Sequence, residues 1–232
     1  MRKIAIILGH MINNYWKPRV TDYKTVVANA KSEAVLSYPF TNEQIFSKSL
    51  KQLYEINNKK NFLFIVGGGA VVKFLPTLLE NNDLKNTGID LSARQLLNFE
   101  FICNKLNRAL DKGISLVSRT DKNLSSPLSL FNRAKGAEVI PVEPLPKDAK
   151  INLLQGDILR YLYSVPEESA PDLIYMSNAL DWMSREKREL LYGILRKDKF
   201  PDGTDIMSYN AFNAFGELSI FRKSGARFRK IA

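Results

Sequence analysis

Between residues 20 and 60, apolar positions recur at helical spacing. Val26, Val27, Ala30 and Ala34 form one stripe, and Ile45, Phe46, Leu50, Leu53 and Tyr54 form another within Asn42 to Ile56. The pair Tyr38-Pro39 separates the two predicted helices. The period then changes. Asn61-Phe-Leu-Phe-Ile-Val66 is a continuous apolar run between Lys59-Lys60 and Gly67-Gly68-Gly69, the pattern of a parallel strand buried on both faces. Ala70 to Glu80 has helix character in spite of Pro76, and Asn86-Thr-Gly-Ile-Asp-Leu91 reads as a second strand. From Ser92, the expected N-cap, to Leu110 the pattern predicts an amphipathic helix with Leu96, Leu97, Phe101 and Leu106 on its apolar side.

Asp111 to Lys150 is the least regular stretch, with Ser125-Ser126-Pro127 and Pro141, Pro144 and Pro146. A connection of that length in a compact domain is read as a lid, a substrate loop or a small insertion. Strand pattern returns at Ile151-Asn-Leu-Leu154 and at Asp172-Leu-Ile-Tyr-Met176. A helix is predicted over Ser184 to Arg196, with Ser184 and Lys187 flanking a charged face, followed by a Pro201-Asp202-Gly203 turn. A strand at Asp205-Ile-Met-Ser-Tyr209 and a hairpin of Leu218-Ser-Ile-Phe221 with Arg227-Phe-Arg-Lys-Ile231 complete the pattern.

Strands alternating with helices predict a Rossmann-like α/β three-layer sandwich with a mostly parallel sheet. The expected organisation is an N-terminal helical extension, residues 1–60, that adds helices to one side of a catalytic domain, residues 61–232, carrying the 111–150 insertion. In such sheets ligands bind beyond the carboxyl ends of the strands, where strand order reverses. The residues that follow each strand are therefore the first candidates for chemistry.

Gly67, Gly68 and Gly69 let backbone approach a ligand closely. Roughly 20 residues further on, Asp90 ends the second strand, where a carboxylate can accept hydrogen bonds from both hydroxyls of a ribose. Its competing role is to cap the helix that begins near Ser92. The third strand runs into Gln155-Gly156-Asp157-Ile158 and the fourth into Ser177-Asn178-Ala179-Leu180-Asp181. Asp157 as an N-cap, and Asn178 and Asp181 as turn residues, are the competing structural readings. A nicotinamide site fits less well, because Val72 stands where G-x-G-x-x-G requires its third glycine. A P-loop is excluded, because no G-K-S or G-K-T occurs.

Composition narrows the chemistry further. One Cys, Cys103, cannot close an intramolecular disulfide, and with one His, His10, it cannot build the usual Cys/His zinc site. No metal is expected. A Ser-His-Asp or Cys-His arrangement would need His10 as its base, and no G-x-S-x-G occurs. The 232 residues carry 34 Lys and Arg against 24 Asp and Glu, a net charge of +10, which favours acidic partners such as phosphates, nucleotides or nucleic acid. Arg222, Lys223, Arg227, Arg229 and Lys230 are the densest cluster, either an acceptor-binding patch or a solvated face. The N-terminal apolar run is only about six residues with no small-residue cleavage site after it, so the start reads as mature protein. No apolar stretch approaches the roughly 20 residues of a membrane span, and the expectation is a cytoplasmic protein without membrane insertion.

These strand ends resemble the class I S-adenosylmethionine-binding Rossmann fold. More narrowly, Gly88-Ile-Asp-Leu-Ser-Ala-Arg-Gln-Leu96 followed by Ser177-Asn-Ala-Leu-Asp-Trp-Met-Ser184 resembles the branch that transfers the 3-amino-3-carboxypropyl group, which includes the betaine-lipid synthases. The resemblance spans about Phe62 to Tyr209. It departs from the common methyltransferase pattern, with Ile65 in place of an acidic residue and Val71 in place of the third glycine. The resemblance implies S-adenosylmethionine as co-substrate, held by Gly67, Gly68, Gly69, Asp90, Leu91, Ser92, Gly156, Asp157, Ile158, Ser177 and Asn178. It further implies Asp90 on the ribose and Asp157 on the adenine amino group, with Asn178 and Asp181 near the ammonium. Tyr38, Arg94 or a basic residue of the long loop would meet the donor carboxylate, and Trp182 is either an apolar wall or core.

The implied reaction releases methylthioadenosine. An already anionic acceptor would need no strong base, whereas a hydroxyl would need Asp181, Glu143 or a Tyr. The lipid-modifying relatives are larger, so the expected acceptor is a soluble one, such as the nucleotide-linked peptide phosphoramidate of microcin C-type antibiotic maturation. The alternatives are a methyltransferase acting on a small molecule or RNA, and a non-catalytic basic module that binds nucleic acid.

Overall fold

The structure is a computed structural model that describes residues 19–33, 58–67, 71, 75, 78, 84–100, 103, 150–209 and 218–231. Two expected helices, Asn42 to Ile56 and Ala70 to Glu80, lie wholly or mostly outside these residues, as do Gly68, Gly69, Tyr38, His10, Glu143 and residues 111–149.

Among the described residues the sheet has eight strands: β1 (Arg19–Val20), β2 (Asn61–Ile65), β3 (Lys85–Asp90), β4 (Ile151–Gln155), β5 (Leu173–Tyr175), β6 (Asp205–Tyr209), β7 (Leu218–Ser224) and β8 (Arg227–Lys230). Their order is β1-β4-β3-β2-β5-β6-β7-β8. Every pair from β1 to β6 is parallel, and β7 and β8 are antiparallel additions at one edge. The chain moves outward from β2 through β3 and β4, then returns to start the other half with β5. Strand order thus reverses between β2 and β5, whose Phe62 and Phe64 pair with Leu173 and Tyr175.

The helices are α1 (Tyr23–Ser32), α2 (residues 93–100), α3 (Ile158–Ser164), α4 (Ala179–Trp182) and α5 (Arg185–Leu195). Alternation along β2 assigns them to two layers. Phe62 and Phe64 pack with Val26 and Ala30 of α1 and with Ala93, Leu96 and Phe99 of α2. Leu63, one residue out of step, lies in the opposite cluster with Leu162 of α3 and Leu191, Ile194 and Leu195 of α5. This is the expected three-layer α/β sandwich. One element was not expected: before α1 the chain pairs as β1 alongside β4, so α1 enters the structure from the sheet itself.

Local chemistry explains several boundaries. Asp157 caps α3, its Oδ1 accepting from the amides of Leu159 at 2.7 Å and Arg160 at 3.2 Å. Ser184 caps α5 by accepting from the Lys187 amide at 3.3 Å. The two residues between β7 and β8 start with Gly225 at φ 56°, which a tight hairpin with its first central residue at positive φ requires. Gly88 in β3 is demanded by packing. A methyl there would stand 2.6 Å from Leu153 Cδ2 and 2.7 Å from Phe64 Cε2. Gly88→Ala is accordingly expected to cost about 1–3 kcal/mol in urea denaturation, the usual penalty for overpacking a core; a loss below about 0.5 kcal/mol would show that the Phe64 ring has room to move.

Candidate functional site

Four parallel strands end side by side around the reversal point, and hydrogen bonds link the turns that follow β2, β3 and β4. After β2, Gly67 takes φ 47°. After β5, Ser177 takes φ 52°, in the left-handed region that is unusual for a residue with a side chain. The two turns face each other: a methyl built on Gly67 would lie 3.5 Å from Ser177 Oγ. Ser177 is buried, and its carbonyl accepts from the Tyr209 amide at 2.9 Å, which ties the turn to the end of β6. Strained backbone held by neighbouring strands is a common feature of binding and catalytic turns.

Asp90 connects the first turn to the second. Its Oδ2 accepts from the Gly67 amide at 2.8 Å and its Oδ1 from the Ser92 amide at 2.9 Å. Burial raises the carboxyl above the ordinary carboxylate range, the Ser92 and Gly67 amides pull it back, and the nearby Glu33 charge pushes it up again. The Leu91 amide acts on the same carboxylate, and of its roughly four acceptor sites one remains for a further donor. A ribose hydroxyl has the matching chemistry. Leu91, beside it, is 68 % exposed, an apolar surface next to a polar anchor.

The third turn is tied to the same group. The Gly156 amide donates to the Asp90 carbonyl at 2.9 Å, and Gln155 Nε2 donates to the Leu91 carbonyl at 3.2 Å. Asp157 is the N-cap anticipated as its structural role, with Oδ1 engaged by two amides, and Ile158 is buried beneath it as the first residue of α3. In the fourth turn, Asn178 precedes α4 with no side-chain cap bond, and its carbonyl accepts from the Asp181 amide at 3.0 Å. Gly67, Leu91, Ser92, Gly156, Asp157, Ser177 and Asn178 thus lie in the turns at one end of the sheet, with Asp90 closing β3 and Asp181 within α4.

Three expectations change. Trp182 is not core: it is 67 % exposed on the short helix α4, where four residues give too little surface to cover an indole. Arg94 directs Nε to the Ala30 carbonyl at 2.7 Å, so at least part of its guanidinium serves α1. The basic cluster near the C-terminus divides and lies away from the site. Arg222 forms a two-pronged pair with Asp205, Nε to Oδ1 at 2.8 Å and Nη2 to Oδ2 at 3.0 Å. Lys223 is buried and donates to the carbonyls of Lys197 and Phe200. The register sets Arg222 and Arg229 level with Asp205, at the start of β6 and the opposite end of the sheet from the turns. The positive surface that an anionic acceptor would meet is therefore not provided by these residues.

Sequence reasoning missed Glu33 and Asn29. Glu33 accepts from Ser92 Oγ at 2.7 Å, from the Ala93 amide at 2.6 Å and from the Arg94 amide at 3.3 Å. Burial works to raise its carboxyl, but these donors and the Arg94 charge together hold it below the ordinary range. Asn29 Nδ2 donates to Gln155 Oε1 at 2.6 Å. A contact between segments about 60 residues apart leaves no periodic trace in a sequence.

Among the described residues no cluster of His, Cys, Asp or Glu could hold a metal ion, and no helix is long and apolar enough to cross a membrane. No protein-family model matches the chain, and no curated protein does either. Among solved structures, the chain is similar to the N-methyltransferase NodS from Bradyrhizobium japonicum WM9, with 16% identity over 72% of this chain and 69% of that one and a TM-score of 0.39. The glycopeptide N-methyltransferase MtfA, solved with S-adenosyl-L-methionine, has 11% identity over 86% of this chain and 70% of that one, TM-score 0.39. A SAM-dependent methyltransferase from Thiobacillus denitrificans, solved with S-adenosyl-L-homocysteine, has 15% identity over 82% of this chain and 56% of that one, TM-score 0.34. The fold assignment rests on the strand order and layers described above.

Proposed function

We propose that this chain is a transferase that uses S-adenosylmethionine and moves its 3-amino-3-carboxypropyl group to a small soluble acceptor. The observation that carries the cofactor reading is Asp90: a carboxylate at the end of β3, beside the reversal of strand order, with one oxygen on the Gly67 amide and the other on the Ser92 amide. It has the capacity to receive a ribose hydroxyl, while Leu91 offers an adenine ring an apolar neighbour. Gly156, Asp157 and Ile158 border the base end of such a ligand. Gly67, and Ser177 with Asn178, border its amino-acid end, and the sequence adds Gly68 and Gly69 as candidates there.

Bound S-adenosylmethionine supplies an electrophilic carbon next to a sulfonium. What the chain must do is hold the acceptor in line with one C–S bond. For aminocarboxypropyl transfer, the acceptor's lone pair forms a bond to the γ-carbon of the methionine chain. The C–S electrons return to sulfur, and neutral methylthioadenosine leaves. A hydroxyl acceptor gives up one proton, for which Asp181 is the proposed base; an anionic oxygen gives up none. Asn178 and Asp181 are the candidates for orienting the ammonium and Tyr38 for the carboxylate. The choice of this group over methyl is supported by the resemblance of residues 88–96 and 177–184 to the aminocarboxypropyl branch. A nucleotide-linked peptide phosphoramidate remains the proposed acceptor class, with cytoplasmic chemistry in view.

The test is to incubate the protein with S-adenosylmethionine and candidate nucleotide acceptors and to identify the adenosine product by mass spectrometry. Acceptor-dependent methylthioadenosine is the expected product. S-Adenosylhomocysteine in its place would make the chain a methyltransferase. Asp181→Asn should lower methylthioadenosine formation at least tenfold, about 1.4 kcal/mol, and by more than it lowers S-adenosylmethionine affinity, because the group acts at the reacting end.

A further inference from the structure

The turn that presents Asp90 is not held by its own helix alone. We infer that Glu33, at the end of α1, is a positioning residue for the nucleoside end of the site, so that docking of α1 and recognition of the ribose are one coupled event. This rests on the cofactor reading above and adds to it a residue that touches no ligand.

Two hydrogen-bond chains run from α1 to the turn. In the first, Glu33 accepts from Ser92 Oγ and from the amides of Ala93 and Arg94. Ser92 in turn gives its amide to Asp90 Oδ1, and Asp90 Oδ2 holds the Gly67 amide. In the second, Asn29 donates to Gln155 Oε1, and Gln155 Nε2 donates to the Leu91 carbonyl. Both chains converge on residues 90–92. The clasp is reciprocal, because Arg94 Nε returns a bond to the Ala30 carbonyl at 2.7 Å. At its other end, α1 is anchored by the Thr21 amide on the Leu153 carbonyl and by Val26 and Ala30 in the core.

A helix start normally obtains its cap from the residue just before it. Here a carboxylate from a segment some 60 positions away completes the cap of α2. The amides it fixes are the continuation of the turn that aims Asp90. Loss of Glu33 leaves Ser92 Oγ held only by the Gln95 amide at 3.3 Å and the amides of Ala93 and Arg94 without their acceptor, so the turn that aims the Asp90 carboxylate at a ribose hydroxyl loosens. By linkage, a ligand that engages Asp90 must also favour docked α1, by the same factor.

The discriminating readout is selectivity for the ribose, measured by calorimetry with S-adenosylhomocysteine and its 2′-deoxy counterpart on the full chain. Wild type should prefer the ribose form by about tenfold, the effect of one hydrogen bond to a charged group. In Glu33→Ala, binding of the ribose form should fall about tenfold and the preference should collapse towards unity. The Glu33 charge itself disfavours ionised Asp90, so its removal acts in the opposite direction, and weakened binding reports geometry. Asn29→Ala, which cuts the other chain, should reduce the preference in the same direction. Glu33→Gln, which keeps one acceptor oxygen, should lie between and serves if the alanine variant does not fold. If wild type binds both ligands and the variants keep its preference, the positioning role is wrong and the cofactor reading stands. If wild type binds neither ligand, both fall.

Discussion

Replacing Asp90 with Ala is expected to weaken S-adenosylmethionine binding by roughly 10- to 150-fold, about 1.5–3 kcal/mol, the cost of a hydrogen bond to a charged acceptor. Calorimetry on the folded variant measures it, and an unchanged affinity would remove Asp90 from the ribose. The carboxylate also fixes the amides of Gly67 and Ser92, so part of the loss is the disorder of two turns. Asp90→Asn separates these effects, since its single carbonyl oxygen can keep one amide but not both. The pH dependence gives an independent check. Burial raises the Asp90 carboxyl, so binding, which needs the ionised form, should weaken as pH falls through a value above that of an ordinary aspartate. The stability of the unliganded chain has the opposite sign. A folded-state pKa above the unfolded one contributes stability that is fully present below the unfolded value and lost as pH rises through the folded value. Ligand affinity and apo stability should therefore move in opposite directions over one pH window, and the Asn variant should flatten both.

The central strands were legible because they are buried on both faces. A run such as Phe62-Leu63-Phe64 has no amphipathic alternative, and each of β2 to β6 lies within a residue or two of its apolar run. With the strands fixed, their carboxyl ends named Asp90, Gly156, Ser177 and Asn178 as neighbours before any coordinates. What was not legible depends on contacts across the chain. The pairing of Arg19–Val20 with β4 spans only two residues and leaves no hydrophobic signature. Glu33 looks like any charged residue at a helix end, and its role exists only because the start of α2 lies against it. The left-handed backbone at Ser177 was equally hidden, since no glycine or asparagine marks that position. The basic cluster misled for the converse reason. Five cations close in sequence suggest a patch, yet register places Asp205 directly across from Arg222, and Lys223 is drawn inward to cap helix and turn carbonyls.

Asp205 is the second position where a single change should have a large effect, and there the consequence is structural. Its carboxylate is fully buried at the start of β6, 2.9 Å from Lys59 Nζ and held on both oxygens by Arg222. Lys59 also donates to the Gly203 carbonyl, so the group joins the segment entering β2, the turn before β6 and strand β7. Removing Asp205 leaves the nearly buried Lys59 uncompensated, while the 42 % exposed Arg222 side chain can turn to water, and Asp205→Ala is expected to cost about 3 kcal/mol in urea denaturation, the low end for a buried pair. That is a large fraction of the ~5–15 kcal/mol that holds a domain of ordinary stability. The residue stands four positions before Tyr209, about 13 Å along the strand from the ligand-facing turns. Molecules of the variant that remain folded should therefore bind S-adenosylhomocysteine with unchanged affinity, and a saturating ligand should stabilise variant and wild type by the same increment, which depends only on ligand concentration and Kd. A loss below about 1 kcal/mol would mean that water reaches the carboxylate. A smaller ligand-induced increment would mean that the two ends of the sheet are energetically coupled, with Asp205 acting on the site through β6 and the Tyr209 amide that holds Ser177.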